Sequence, residues 1–191
     1  MGFRSIGEDV LIARTARLLD PQYMSFGHRT MVDEYCVLSG NILVGSNVHI
    51  AHGCKVIAGV DGFQMDDFSG LAFGVTVFAQ SDDYTGGALT NPTVPMKFRH
   101  IARGKVTMGR HAIVGADTVI FPGITIGEGA SVGANASVTK NLEPWTVNTG
   151  SPARRVKERS RELLAFEVAY LAELREQGSA IDPPPGGVTW P

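Results

Sequence analysis

The sequence predicts a mainly β protein in which short strands wind into a parallel solenoid. Two blocks, residues 26–61 and 108–143, each divide without remainder into six hexapeptides. Each hexapeptide opens with a bulky apolar residue and has a small or branched residue at its fifth position. A period of six fits neither a helix nor a plain alternating strand, but it does fit one short strand plus a corner. Three hexapeptides would then close one coil of a triangular prism.

The first block should place the first and fifth residues of every hexapeptide inside the prism. The first positions are Phe26, Val32, Leu38, Val44, Ile50 and Val56, and the fifth positions are Thr30, Cys36, Ile42, Val48, Cys54 and Val60. The pattern begins imperfectly before this block, where two extra residues lie around Asp20 and Pro21. After the block, residues 62–64 are expected to interrupt the register, which resumes over residues 65–82.

The second block has the same pattern. Its first positions are Met108, Val114, Ile120, Ile126, Val132 and Val138, and its fifth positions are Ala112, Thr118, Ile124, Ala130, Ala136 and Leu142. The glycines between them argue against a helix, because each would cost about 1 kcal/mol relative to alanine in a helix interior. Residues 1–155 are therefore predicted to form one solenoid domain.

Between the blocks, residues 83–101 are predicted to form a protruding loop. The segment holds two prolines, a glycine pair and an Asn-Pro step, which is the composition of loops. A segment of this length without periodicity in a compact domain is usually functional or disordered. Since the hexapeptide pattern resumes after it, the loop should leave and rejoin the coil at one corner.

The character of the chain changes after residue 155. Apolar residues recur at helical spacing among charges over residues 156–177, which predicts an amphipathic helix. Its apolar side should cover either the open end of the prism or a neighbouring subunit. The tail over residues 178–191 contains three consecutive prolines and is expected to be flexible.

Composition and charge exclude some functions and favour a location. The net charge is −2 at neutral pH, whereas nucleic-acid-binding domains carry a basic surplus. The N-terminus lacks a charged-then-apolar leader, and no apolar run approaches the length of a membrane-spanning helix. Cys36 and Cys54 are three hexapeptides apart and should stack in the core as reduced thiols. We therefore expect a cytoplasmic protein without nucleic-acid partners or membrane insertion.

Residues 114–156 resemble a known signature. The sequence VGADTVIFPGITIGEGASVGANASVTKNLEPWTVNTGSPARRV is similar to the C-terminal part of the hexapeptide-repeat acyltransferases, which have the left-handed parallel β-helix fold. The resemblance covers residues 6–157. It is strongest to the branch that acetylates sugars, which includes galactoside O-acetyltransferases and nucleotide-amino-sugar N-acetyltransferases of surface polysaccharide pathways. Residues 47–51, 67–71 and 81–84 resemble the polysaccharide group.

The resemblance implies a homotrimer that binds acetyl-CoA in a groove between neighbouring prisms, without a metal. Small residues would let the pantetheine arm approach the coil edge, a turn would close over the adenine end, and basic side chains would meet the phosphates. The residues implied for this role are Gly115, Ala116, Gly133, Ala134, Lys140, Ser151, Pro152, Arg154 and Arg155.

Acetyl transfer requires a base for the proton of the acceptor. His49 and His52 are expected to point outward from the solenoid, and either could act as that base. The galactoside and maltose acetyltransferases carry a catalytic histidine where this chain has Asp82, so their mechanism does not carry over residue by residue. Asp82 and Asp83 could instead take the proton, orient a histidine or bind an amine, with Tyr84 as a substrate contact. We expect His49 to meet Asp82 across a subunit boundary.

The sequence therefore predicts an acetyl-CoA-dependent sugar acetyltransferase, acting on the amine of a nucleotide-linked amino sugar for surface polysaccharide synthesis. One alternative is O-acetylation of a saccharide with His49 as base. Alternatives from other classes are a zinc lyase like the γ-carbonic anhydrases, which would need three converging histidines, and a non-catalytic trimeric scaffold.

Overall fold

The computed structural model describes residues 2–181 of the chain. These residues form a left-handed parallel β-helix of about seven turns, followed by one short α-helix. The predicted fold class is therefore confirmed. The expectation of a flexible tail falls mainly on residues 182–191, which lie outside the described residues.

The strands line the three faces of a prism. One face, called face 1 below, is an eight-stranded sheet of β2 (Leu11–Ile12), β5 (Met31–Val32), β7 (His49–Ile50), β9 (Gly70–Leu71), β14 (Ile113–Val114), β17 (Ser131–Val132), β19 (Thr146–Thr149) and β20 (Arg154–Glu158). The other two faces form a ten-stranded sheet of β1 (Ser5–Ile6), β3 (Arg17–Leu19), β4 (Met24–Phe26), β6 (Val37–Val44), β8 (Lys55–Met65), β10 (Thr76–Phe78), β13 (Val106–Met108), β15 (Val119–Ile120), β16 (Thr125–Ile126) and β18 (Ser137–Val138). This sheet is continuous because β6 and β8 each pair along both faces.

The hexapeptide pattern explains the core. All the first-position residues of both blocks are buried, with at most 4% of their surface exposed. They stack in register from coil to coil, and on face 1 Val32 pairs with Ile50, which pairs with Leu71. Truncating one of these side chains to alanine would cost about 2–5 kcal/mol of the free energy of unfolding, because a cavity would remain.

One residue predicted to point inward does not. The Val60 side chain is 74% exposed, and Phe63 occupies the core position instead, in register with Ile42. The residues that interrupt the register therefore lie before Phe63, and not at positions 62–64 as the sequence predicts. They fit because Gly62 takes a positive φ of 97°, a conformation that costs glycine little.

A second irregularity lies where the sequence predicts it. Pro21–Tyr23 form a 3₁₀ turn after Asp20, which has a positive φ of 66°. The turn connects β3 and β4, which pair with the two ends of β6. The two extra residues thus lie at a corner and leave the register of the strands intact.

A hairpin carries the segment between the two blocks. β11 (Gln80–Asp82) pairs antiparallel with β12 (Ile101–Arg103). Residues 83–100 connect these strands and include a 3₁₀ turn at Met96–Phe98. The hairpin therefore fixes where the intervening residues leave and rejoin the solenoid.

The C-terminal helix begins later than the sequence indicates. α1 spans Leu163–Glu176 rather than residues 156–177. The preceding residues form β20, which pairs antiparallel with β19. β20 satisfies the backbone groups along the edge of the last coil, and this gain outweighs the helical pattern of its side chains. Among residues 2–181, no helix is long and apolar enough to span a bilayer.

The two cysteines are free and fully buried, as predicted. The thiol of Cys36 lies 3.1 Å from the carbonyl oxygen of Ala51, and that of Cys54 lies 3.1 Å from the oxygen of Ala72. Interaction with Cys36, together with burial, raises the pKa of the Cys54 thiol far above its usual range. Cys54 is therefore unreactive in the folded protein.

Candidate active site

A cleft of about 640 Å³ lies between α1 and face 1. Its floor is formed by outward residues of successive coils, and its wall is formed by α1. The lining residues are Asn47, His49, Ala51, Phe68, Ser69, Gly70, Leu71, Ala72, Phe73, His111, Ile113, Arg159, Leu163, Phe166, Glu167 and Tyr170. Apolar and polar side chains both line the cleft, and such a combination of apolar surface with convergent polar groups is found in small-molecule sites.

A network of charges fixes the wall of the cleft. Glu167 of α1 accepts hydrogen bonds from Arg110 and, at 2.7 Å, from Nε2 of His111. Arg110 also pairs with Asp67 at 2.5 Å and lies 4.8 Å from the centre of the Phe68 ring. All of these groups are mostly buried, so the network ties α1 to the solenoid at a defined position.

Opposing effects set the charge state of Glu167. Burial favours the neutral acid, but the hydrogen bonds from Arg110 and His111 outweigh it and hold the pKa of Glu167 below its usual value. Glu167 is therefore ionised at neutral pH and is committed to holding the helix.

The end of α1 is fixed as well. Leu174 is buried, and the hydroxyl of Tyr170 lies 2.9 Å from Oδ1 of Asn47. Arg29 donates one hydrogen bond to the same Asn47 oxygen and another, 2.7 Å long, to the carbonyl oxygen of Ala180. The backbone at Ala180 thus contacts the prism, and the flexible tail over residues 178–191 stays a prediction.

His49 lies on the floor of this cleft. It begins β7, points outward as expected, and has 52% of its side chain exposed. Its Nε2 is 2.8 Å from Oδ2 of Asp33, which lies on the preceding coil of the same chain. Its neighbour on the next coil is Gly70, which has no side chain to cover the imidazole. The carboxylate that meets His49 within this chain is therefore Asp33.

His52 has a different environment. Its ring makes edge contacts with Tyr35, at 5.2 Å between ring centres, and with Phe73, at 6.5 Å. All three side chains are exposed, at one corner of the prism. No carboxylate contacts His52 within residues 2–181, so its geometry suits base chemistry less well than that of His49.

Asp82 is bound within the loop hairpin. One carboxylate oxygen is 2.9 Å from Nη2 of Arg99, and the other accepts a hydrogen bond from the backbone amide of Asn91. These two interactions hold the pKa of Asp82 below its usual value. Asp82 thus fastens both ends of the loop and is poorly suited to accept a proton.

Asp83 and Tyr84 also lie at the mouth of the loop. Asp83 accepts hydrogen bonds from the hydroxyl and amide of Thr85 and from the amide of Gly87, and the bonds from Thr85 in particular lower its pKa. This is the turn chemistry of aspartate. The side chain of Tyr84 is 91% exposed and makes no contact that would fix it within residues 2–181.

The residues assigned to acyl-CoA form one edge of face 1 and the adjoining surface. Gly115 and Gly133 follow β14 and β17, in the same column as Ala51 and Ala72. A side chain at Gly115 would meet the backbone of Ala134 at 2.6 Å. The edge is therefore smooth and continuous with the floor of the cleft.

The basic candidates lie beyond this edge. Lys140, Ser151, Pro152, Arg154 and Arg155 are all exposed. Arg155 pairs with Glu143 and Glu158, so a phosphate would have to compete with two carboxylates for this guanidinium. Arg154 and Lys140 form no ion pair within residues 2–181 and are available to an anionic ligand.

Comparison with known proteins places the chain in a family. No family model matches it. It is 33% identical over 173 residues to the dTDP-4-amino-4,6-dideoxy-D-glucose acyltransferase of Escherichia coli, covering 89% of this chain and 90% of that enzyme. The chain belongs to the hexapeptide-repeat acyltransferases. The prediction that it is an enzyme of this class is thereby confirmed.

Solved structures support the assignment of this chain to the hexapeptide-repeat acyltransferases. The crystal structure of AntD, an N-acyltransferase from Bacillus cereus, in complex with dTDP and 3-hydroxybutyryl-CoA superimposes with a TM-score of 0.90. The two chains are 37% identical, with 91% of this chain and 93% of AntD covered. A maltose O-acetyltransferase from Clostridium difficile 630, with 20% identity and a TM-score of 0.56, shares the fold over 83% of this chain and 71% of its own.

Asp33 and the Arg110–Glu167 network are features of the site that were not predicted from the sequence. The coil length of 18 residues offers a signal for the first, because it places positions 31 and 33 beneath positions 49 and 51. Met31 is the register partner of His49, and Asp33 lies two residues after Met31 on the same outward side. This spacing could have paired Asp33 with His49. No comparable signal exists for Glu167, since its position depends on how α1 folds back onto face 1. Within residues 2–181, no group of three or more His, Cys, Asp or Glu residues could hold a metal ion.

Proposed function

We propose that this acyltransferase transfers an acyl group from acyl-CoA to the amine of a nucleotide-linked amino sugar. The observation that carries the proposal is the likeness, over about nine tenths of both chains, to AntD, whose structure contains dTDP and an acyl-CoA. The E. coli relative is named for a dTDP-linked 4-amino sugar. Acetyl-CoA is the proposed donor, and the product serves surface polysaccharide synthesis in the cytoplasm.

The cleft supplies the groups that the reaction needs. The sugar nitrogen attacks the thioester carbonyl carbon, the C–S bond breaks, and the nitrogen loses a proton. We assign that proton to His49, which lines the cleft and has a carboxylate behind it. The proton then passes to the departing thiolate, so that free CoA and the amide are the products. His52 and Asp83 are the secondary candidates.

The assembly proposed is a homotrimer with acyl-CoA between neighbouring prisms. Two observations support it. Phe166 and Val168 of α1 are 74% and 69% exposed, an arrangement that a neighbouring subunit would bury. The smooth edge at Gly115 and Gly133 gives the pantetheine arm a surface on this chain, and Lys140 and Arg154 are available for the phosphates.

The protruding loop is proposed to contribute to the acceptor site. Asp82 and Arg99 hold the loop in one conformation, and Tyr84 at its mouth is free to contact a substrate. In this arrangement Asp82 positions the loop and does not transfer the proton. The loop would act on the cleft of a neighbouring subunit.

A matched pair of acceptors tests the function. The purified enzyme is given acetyl-CoA with dTDP-4-amino-4,6-dideoxyglucose or with dTDP-6-deoxyglucose, which has a hydroxyl in place of the amine. Release of CoA thiol is followed with a chromogenic disulfide, and the buried Cys36 and Cys54 will contribute little background. Turnover of the amine alone supports N-acylation, whereas turnover of the hydroxyl compound alone would establish O-acylation.

The same assay tests the donor. Acetyl-CoA and 3-hydroxybutyryl-CoA are compared at equal concentrations, since the acyl group of the second is present in the AntD complex. A higher kcat/KM with acetyl-CoA supports the proposal. No thiol release with either donor and any amino sugar nucleotide would refute it.

A further inference from the structure

We infer that Asp33 is a positioning residue for acyl transfer, because it fixes the imidazole of His49 in the tautomer whose Nδ1 accepts the proton. The inference rests on the proposed function and adds to it a residue that lies on a different coil from the base.

The pair is built into the regular part of the solenoid. Met31 of β5 is the register partner of His49 of β7, and Asp33 lies two residues further along the same outward side. The amide of Asp33 donates to the carbonyl oxygen of Ile50 at 3.0 Å, which anchors the backbone of one partner to the coil of the other. Two rigid coils therefore hold the contact between Nε2 and Oδ2 at 2.8 Å.

This contact determines which ring nitrogen carries hydrogen. An ionised carboxylate can only accept hydrogen bonds, so the nitrogen that faces it must be the donor. Nε2 of neutral His49 thus carries the hydrogen, and Nδ1 keeps its lone pair. Among residues 2–181, Nδ1 of His49 has no hydrogen-bond partner. It is therefore free to take a proton from a bound acceptor.

The space beside His49 is open on the side where a substrate must enter. On the next coil the neighbour of His49 is Gly70, which has no side chain. A Cβ atom at this position would lie 3.6 Å from the carbonyl oxygen of His49. Ile113 follows on the coil after that, so the floor next to the imidazole is apolar. The imidazole, which is 52% exposed and lines the cleft, is therefore not covered by a side chain of the next coil.

Other charged groups near the cleft are already committed. Glu167 is held by Arg110 and His111, and Arg159 donates to the carbonyl oxygens of His111 and Gly129. On its own coil His49 is followed by His52, whose ring packs against aromatic side chains.

The role of Asp33 follows from the partner of its carboxylate. Within the described part of the chain, the only hydrogen bond of its carboxylate is the one to His49. An aspartate at this position adds nothing to the core and stabilises no turn. Its role is to orient the imidazole and to stabilise the imidazolium that forms when the proton is taken.

The test replaces Asp33 by asparagine and compares the variant with Asp33→Glu and Asp9→Asn. Asparagine is nearly isosteric, but its amide can donate to Nε2 and so stabilise the opposite tautomer. Glutamate restores a carboxylate. Asp9→Asn removes the same charge from an exposed residue of the first coil and serves as the matched control.

Two measurements are made on each variant. Steady-state kinetics with dTDP-4-amino-4,6-dideoxyglucose and acetyl-CoA give kcat and both KM values. Long-range ¹H–¹⁵N spectra of the histidine side chains, recorded without substrate, give the tautomer of His49. Its signals are assigned by their loss in His49→Gln.

Asp33→Asn is expected to lower kcat by about 10- to 100-fold, which is below the full contribution of a general base of about 10²–10⁴. Both KM values should stay within about twofold, and the His49 signals should shift from the Nε2–H form toward the Nδ1–H form. Asp33→Glu should recover part of kcat, and Asp9→Asn should match the wild type.

Three outcomes would overturn the inference. They are a wild-type kcat in Asp33→Asn, a wild-type His49 that carries its hydrogen on Nδ1, and a loss of kcat without any change of tautomer. Failure of the proposed function is a separate result. A wild-type enzyme that acylates no amino sugar nucleotide would refute that function, whereas the tautomer would still be read from the enzyme alone.

Discussion

Replacing Glu167 by glutamine tests whether the charge network holds α1 against face 1. The carboxylate accepts hydrogen bonds from Arg110 and His111, and bonds to charged groups contribute about 1.5–3 kcal/mol each. Glutamine keeps one carbonyl oxygen as an acceptor, and Arg110 keeps Asp67 as a partner. The net loss should therefore be close to one such bond, about 1.5–3 kcal/mol of the free energy that docks the helix.

Amide hydrogen exchange of residues 163–176 measures this loss directly. Since 1.4 kcal/mol corresponds to a factor of ten, protection in α1 should fall by about 10- to 140-fold, while the amides of the core coils keep their protection. Glu173→Gln is the matched control, because Glu173 is an exposed glutamate of the same helix. Its effect should stay within about 0.5 kcal/mol.

The pH dependence has a defined sign. The folded-state pKa of Glu167 lies below its unfolded-state value, so its contribution is fully present above the unfolded pKa of about 4.3. That contribution is lost as the pH falls through the folded pKa. Wild-type α1 should therefore lose protection in acid, and the glutamine variant should lack this loss. Equal protection in the two proteins at neutral pH would show that packing, not the ion pairs, holds the helix.

Three further predictions concern the site and the solenoid. His49→Gln should lower kcat for acyl transfer by about 10²–10⁴ with an unchanged melting temperature, and near-wild-type turnover would remove His49 from the mechanism. Asp82→Asn should release the loop, so that limited proteolysis cuts residues 83–100 faster than in the wild type, and an identical cleavage rate would contradict the fastening role. Gly129→Ala should lower the free energy of unfolding by more than 1 kcal/mol, because φ is 63° and the new methyl group would meet the Trp145 ring at 2.4 Å. Urea denaturation measures it, and a wild-type midpoint would disprove that clash.

The sequence predicted the core because a solenoid repeats its own environment. Within each block a first position meets the first position of a neighbouring coil 18 residues away, as Val32 meets Ile50 and Val114 meets Val132, so the apolar character of these residues is visible in the sequence. The prediction was wrong at Val60, which points outward. Gly59 and Gly62 flank a bulge there, and counting hexapeptides does not show where such a bulge lies. Phe63 could have indicated the true register, because a large aromatic side chain is expected at an inward position and not among the residues that bulge out.

The candidate site was harder to predict for two physical reasons. Pairs such as His49 with Asp33 arise between coils, so they depend on side-chain direction as well as on spacing. The wall of the cleft depends on α1, whose docking rests on charges at Asp67, Arg110 and Glu167 that are far apart in the chain. Resemblance pointed to Asp82 as the catalytic position, but its partners Arg99 and Asn91 belong to the loop and have no periodic signature.

The antiparallel β20 has a consequence for self-association. A parallel β-helix has no intrinsic end, because the last coil exposes a row of unpaired amide and carbonyl groups. A further coil can form hydrogen bonds with this row. β20 reverses direction along β19 and carries Arg154, Arg155, Lys157 and Glu158, so a further coil from another molecule meets an occupied and charged edge. Cleavage after Thr149 would remove this barrier. The shortened solenoid could then be extended by other chains end to end, as in a fibril.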